Sequence, residues 1–224
     1  MIMEETFNTM PAEMPKSKEL RRESRYALRG HWTNAVLCTL VYFIIVGICS
    51  AFSSYDGLPL STNALLGMIG CALTILITLP LSFGYEVAFL RHVRGEEDDE
   101  LVVRPFQAFK SYGRYLGTSL LMALFVFLWS LLLIVPGIIK AYSYAMTPFI
   151  MVDHPELDAD DCIEKSKAMM KGYKWKLFCL DLSYIGWWLL CVLTLGILTL
   201  WITPWNTCAK VKFYEELKAR HAQN

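Results

Sequence analysis

The sequence has few of the residues from which soluble enzyme sites are built. Four histidines, His31, His92, His154 and His221, stand singly in 224 residues. None falls at a metal-ligand spacing, so no metal is expected. The seven cysteines (Cys38, Cys49, Cys71, Cys162, Cys179, Cys191 and Cys208) form no CxxC pair. Six of them lie inside apolar runs, where a thiol reads as a small packing group. Neither sign of charge is in excess, with 21 Lys and Arg against 21 Asp and Glu. Bulk charge therefore gives no reason to expect a nucleic-acid or acidic partner. The nucleophile elbow, zinc-protease helix, phosphate loop and dinucleotide fingerprint are all missing. No catalytic residue and no cofactor is expected. An intramembrane enzyme resting on Asp153, His154 and Asp181 ranks last among the readings below.

What the chain does have is apolar sequence in blocks. Hydrophobic residues make up 55% of it, against roughly 45–50% in soluble domains. The first thirty residues are polar, with no apolar core close to Met1 of the kind a cleavable signal needs. The first block, Trp32 to Phe52, reads instead as a retained signal anchor. The second runs from Ala64 to Leu90. The third, Tyr115 to Val152, would be about 57 Å long as one helix. A hydrocarbon core is about 30 Å thick, so this block must turn, and Pro136-Gly137 is the natural place. The last block, Trp175 to Ala209, is again too long for one crossing, and Thr194-Leu195-Gly196 is the candidate turn. The expected fold is an all-α membrane protein with six transmembrane helices in three hairpins, preceded by amphipathic interfacial helices.

The basic residues fit that layout. Clusters at residues 16–29, 91–114, 165–176 and 210–220 hold 20 of the 21, and only Lys140 lies near the other side. Positive-inside then puts both termini in the cytoplasm, with Lys140 snorkelling to the outer interface. The whole chain reads as one polytopic domain.

An internal repeat is expected over about residues 17–93, 101–153 and 157–220. Each unit opens on a basic segment ending in Gly and an aromatic: Arg29-Gly30-His31-Trp32, Tyr112-Gly113-Arg114-Tyr115 and Lys171-Gly172-Tyr173-Lys174-Trp175. Each returning helix carries Thr and Pro, at Thr78 and Pro80, Thr147-Pro148 and Thr203-Pro204. Duplication explains this pattern. The plainer reading is that Thr-Pro kinks a membrane helix and basic-aromatic segments anchor it.

Two sets of residues are candidate sites. Glu86, Asp181 and Lys210 lie inside apolar blocks at similar depth, where an unpaired charge is costly. They are expected either to line a cytoplasm-facing polar cavity or to form a structural pair. Arg29, His31, Trp32, Lys171, Lys174 and Trp175 sit where basic and aromatic side chains meet headgroups. They are the candidate lipid-contacting residues. Asp153-His154-Pro155-Glu156, just before an acidic stretch, reads as a helix-end turn. The run Glu96 to Glu100 reads as a solvated loop.

The segment Ser166 to Trp175, followed by Leu177-Phe178, Leu182 to Trp187 and Leu193 to Ile197, resembles the signature of a known membrane family. Trp201, Pro204-Trp205, Phe213-Tyr214 and the early Arg29 to Trp32 extend the likeness. The family is the one catalogued as domain of unknown function 975. Its members more often have Phe where Tyr184 stands and Tyr where Trp205 stands. The resemblance implies a multi-pass inner-membrane protein of a Gram-positive bacterium and transfers no catalytic residue. The architecture is also similar to membrane domains attached to some glycerophosphodiester phosphodiesterases. The expected function is a lipid- or partner-binding module of the cell envelope. The partners would be the bilayer, its anionic headgroups and a second membrane protein. The alternative is a small-solute or ion transporter using the Glu86, Asp181 and Lys210 cavity.

Overall fold

A computed structural model describes residues 14–52, 60–96 and 101–222. The outer end of the first expected hairpin (53–59) and the acidic residues Glu97 to Glu100 lie outside the described residues. All regular structure among the described residues is helical. The order is α1 (Ser17–Ala27), α2 (Trp32–Phe52), α3 (Leu60–Val93), a 3-10 helix (Arg104–Ser111), α4 (Tyr112–Leu132), α5 (Ile134–Tyr144) and α6 (Thr147–Asp153). It continues with α7 (Ala159–Met169), α8 (Lys174–Leu182), α9 (Ile185–Leu193) and α10 (Thr199–His221).

Four segments are long and apolar enough to cross a membrane: Trp32–Ala51, Gly67–Val93, Arg104–Leu131 and Lys174–Leu193. Their side chains carry apolar surface outwards, as at Met68 (70% exposed), Leu131 (74%) and Leu193 (80%). Exposed apolar surface on this scale needs a cover, and hydrocarbon is one that fits it.

The third apolar block turns three residues earlier than the Pro-Gly pair suggests. Leu133 is extended (φ −162°, ψ 142°) and separates α4 from α5. Pro136 falls in the first turn of α5, where its missing N–H costs nothing. Gly137 is used for close packing instead. A Cβ there would collide with Ser130 of α4. The expected turn at Thr194 to Gly196 is present. Leu195 and Gly196 both take positive φ, at 51° and 85°. The Gly196 N–H reaches back to the Cys191 carbonyl at 2.8 Å, closing α9 in the manner of a Schellman cap.

One break has no proline to announce it. At Ser183-Tyr184 the fifth expected span divides into α8 and α9. The Ser183 hydroxyl donates to Leu180 O at 2.6 Å, competing with the helical ladder. Its own carbonyl is taken by a side chain from α1, described below. Pro80, inside α3, is managed differently. Its ring removes the bond that Leu76 O would accept, and the Tyr112 hydroxyl donates to that carbonyl at 3.0 Å.

The short helices make the core. The 3-10 helix packs on α3 and α4, α7 on α4, α5 and α6, and α1 on α8 and α10. Among the longer helices α3 meets α4, α5 meets α8, and α10 meets both α2 and α3. The fully buried large side chains include Leu20 and Leu28 of α1, Phe89 and Leu90 of α3, Phe149 of α6, Tyr184, and Phe213 and Tyr214 of α10. The largest fully buried side chains thus fall mainly on α1 and its cap, the last turns of α3, α6 and α10.

Candidate functional site: a basic groove between α1, α9 and α10

Helix α1 is polar on one side only. Leu20, Ser24 and Leu28, spaced by four, are buried. Lys18, Arg22, Arg25 and Arg29 are exposed. Burying the first row against α8 and α10 forces the second to one surface. Glu19 fixes the start of the helix by accepting from the Lys16 N–H at 3.0 Å. Gly30, at φ +92°, ends the segment in a conformation that favours glycine and starts the turn into α2.

Arg21 and Trp205 tie α1 to the helices opposite. Arg21 Nη1 donates to Ser183 O at 2.7 Å, at the break between α8 and α9. Trp205 Nε1 donates to Arg21 O at 2.9 Å. The Arg25 guanidinium lies 4.4 Å from the centre of the Trp205 ring, within cation–π range. Trp187 and Tyr184 meet Trp205 edge-on at 5.4 Å and 5.0 Å.

These contacts leave a cavity of about 790 Å³. Among the described residues five cations line it (Lys18, Arg21, Arg22, Arg25 and Arg29) with one carboxylate, Glu19. Its apolar wall is Tyr26, Trp32, Trp187 and Trp205. A site of this size with forked donors above an aromatic wall can hold an anionic headgroup beside an acyl chain.

The expected lipid-contacting residues divide. Arg29 and Trp32 line the groove. His31 packs edge-on against His92 with ring centres 5.5 Å apart. Trp175 is 70% exposed and stacks on Phe178, with Lys171 and Lys174 at the same end of α8, away from the groove lining. Sequence reading counted Lys18, Arg21, Arg22 and Arg25 only for topology. The signal that would have found them is their three-and-four spacing on one face of α1, opposite Leu20, Ser24 and Leu28.

Of the intramembrane charges, Lys210 Nζ lies 3.8 Å from Asp181 Oδ1. The Tyr142 hydroxyl donates to Asp181 Oδ2 at 3.1 Å. Glu86 is half-buried on α3. Lys140 lies over the Trp129 ring at 4.4 Å.

Asp153 proves to be more than a turn residue. Arg94 holds its two carboxylate oxygens with a two-pronged contact at 2.6 and 2.9 Å. Tyr214 and Lys218 each donate to Oδ2 at 2.7 Å. Arg94 Nε also donates to Glu215 at 2.8 Å. Burial alone would raise the Asp153 carboxyl, but the bonds from Arg94, Lys218 and Tyr214 outweigh it and hold the group well below the usual carboxylate range. The next residue continues the chain of polar contacts. His154 Nδ1 lies 3.0 Å from Glu156, and its Nε2 lies 2.7 Å from Lys165 Nζ.

The chain belongs to the DUF975 family. The model of that family, described as a protein of unknown function, matches residues 14–143 and 131–221. The DUF975 match takes in α1 and α10, and with them both walls of the groove. No curated protein and no solved structure matches the chain.

Proposed function

We propose that the protein is a six-span membrane module of three related hairpins that binds anionic lipid headgroups in the groove beside α1. The observation that carries the binding is the charge imbalance of the groove, five cations to one carboxylate among the described residues, next to three tryptophans. Cations on an interfacial helix attract anionic lipid, and tryptophan suits the same depth.

The six-span layout pairs α2 with α3, α4 with α5 and α6, and α8 and α9 with α10. It has support beyond the four long apolar segments. The short leading helix of the second unit leans on the first hairpin, that of the third on the second, and α1 on the third. This is the pattern of a closed ring of three similar units. With 20 of 21 basic residues at one end, both termini would face the cytoplasm of a bacterial inner membrane.

A transporter would work through Glu86, Asp181 and Lys210. Asp181 accepts from Tyr142 at Oδ2, and its Oδ1, which has no hydrogen bond, faces Lys210 at 3.8 Å as an ion pair; that pairing favours a structural seam for the cluster. Lipid binding therefore ranks first.

Native mass spectrometry of the detergent-purified protein tests the reading. Phosphatidylglycerol should be retained in preference to phosphatidylcholine. Each groove cation is worth about 1 kcal/mol near a membrane surface, so removing Arg22, Arg25 and Arg29 together as Gln should weaken retention about a hundredfold. Equal retention of the two lipids, or unchanged retention in the triple variant, would remove lipid binding. A co-purified protein in its place would point to partner docking.

A further inference from the structure

The cations of the groove are ordered along α1. Lys18, Arg22, Arg25 and Arg29 follow one another by four, three and four residues. That spacing keeps them in one row on one face of the helix, with Arg29 just past its end. All four line the groove. Residues four apart on a helix are neighbours, so Lys18 with Arg22 makes one pair and Arg25 with Arg29 a second. At 1.5 Å per residue the centres of the two pairs lie about 10 Å apart. The row is longer than a single phosphate.

Both pairs have donors to offer. The Arg25 guanidinium lies 4.4 Å over the Trp205 ring. That contact uses the face of the group, so the N–H donors at its edge stay available. Lys18, Arg22 and Arg29 are exposed. Glu19 stands at the Lys18 end, bonded to the Lys16 N–H. An acid beside either pair lowers its affinity for an anion and leaves the distance between the pairs unchanged. Behind the row stand Tyr26, Trp32, Trp187 and Trp205, an apolar bed for acyl chains. A head with one phosphate engages one pair and leaves the other facing water. Two phosphates joined through an extended glycerol sit between one and two helical turns apart. The flexible Lys and Arg stems close the remaining distance. Two phosphates linked directly are less than one turn apart and reach a single pair.

We infer that the groove selects a lipid with two phosphates bridged by glycerol, the cardiolipin type, one phosphate on Lys18 and Arg22 and the other on Arg25 and Arg29. The inference rests on the anionic-lipid reading of the groove and adds the headgroup that it prefers. Basic pockets beside membrane helices suit such heads. Once the first phosphate is held, the second meets its pair from within the same molecule, so two pairs bind more tightly than their separate charges suggest.

The test is native mass spectrometry of the full chain in detergent, offered cardiolipin and phosphatidylglycerol at equal phosphate concentration. Cardiolipin should be retained about tenfold better. Replacing either pair, as Lys18→Gln with Arg22→Gln or as Arg25→Gln with Arg29→Gln, should bring that ratio close to one. Trp187→Phe, in the apolar wall, should weaken both lipids alike and keep the ratio. Thermal unfolding confirms that each variant is folded, and the replaced cations are exposed. If both anionic lipids are retained over phosphatidylcholine but equally, the two-phosphate inference is overturned and the anionic-lipid reading stands. If neither is retained over phosphatidylcholine, both fall. The inference is also overturned if either folded double variant keeps the full ratio, if Trp187→Phe abolishes it, or if farnesyl diphosphate displaces cardiolipin at equal concentration.

Discussion

The Asp153 cluster and the α1 groove use the same cations in opposite ways. At Asp153, Arg94 and Lys218 meet two carboxylates, Asp153 and Glu215, and a tyrosine hydroxyl. In the groove, five cations meet one carboxylate among the described residues. A saturated cluster has nothing left to offer a ligand; it joins the chain after α3, the end of α6 and the middle of α10. In the groove, Arg21 and Arg25 help tie α1 to the helices opposite, while Lys18, Arg22 and Arg29 keep their donors for something that arrives. The contrast separates residues that hold the basic end together from residues that are available there, although the sequence presents both as charge near an apolar block.

Removing the centre of the saturated cluster should have the largest effect. Asp153→Ala strands Lys218 and leaves Arg94 with Glu215 as its carboxylate partner. Breaking a fully buried pair costs about 3–5 kcal/mol. Lys218 is half exposed and Arg94 a quarter exposed, so about 2–3 kcal/mol is expected, read as a lower unfolding midpoint in detergent. The pH dependence follows from the direction of the carboxyl shift. The stabilisation is complete above the ordinary aspartate value near 4 and is lost as pH falls below it. Asp153→Asn should flatten that acid limb. A variant as stable as the parent at pH 7 would break the comparison.

Next in size is Trp205→Phe, which removes the donor to Arg21 O while keeping an aromatic ring. A loss of about 1 kcal/mol is expected in the same unfolding assay. It should be accompanied by weaker retention of phosphatidylglycerol, because Trp205 both ties α1 down and walls the groove. The smallest effect on stability belongs to Arg22→Ala. An exposed cation without a saturating partner should change stability by less than about 0.5 kcal/mol. Lipid retention should fall measurably all the same. If Arg22→Ala unfolds the protein, the groove cations are structural and the distinction collapses.

Much of the helical layout was legible in the sequence because burial in hydrocarbon leaves a coarse signal. Trp32 to Phe52 is α2 to the residue. The turn at Thr194 to Gly196 followed from length and a glycine. The turn at Leu133 was misplaced to Pro136-Gly137 because proline is as acceptable in the first turn of a helix as in the turn before it. The break at Ser183 was invisible, since Arg21, 162 residues away in sequence, takes the carbonyl that a continuous helix would have used. Of the expected interfacial residues, Arg29 and Trp32 were found from a local Gly-aromatic pattern. Their partners Trp187 and Trp205 come from another part of the chain, and no local pattern links them to α1.

The sequence by itself determined that the chain is helical, apolar in blocks and basic in clusters between them. Those properties depend on side-chain transfer energies and on peptide hydrogen bonds closed within each helix, which act residue by residue. Only the tertiary structure decided which cations are neutralised and which face an open cavity. Neutralisation depends on distances of about 3 Å between residues far apart in the chain, and composition carries no record of them. Arg94 and Arg25 are the same residue type in similar surroundings of sequence. Packing puts a carboxylate beside one and a tryptophan ring beside the other.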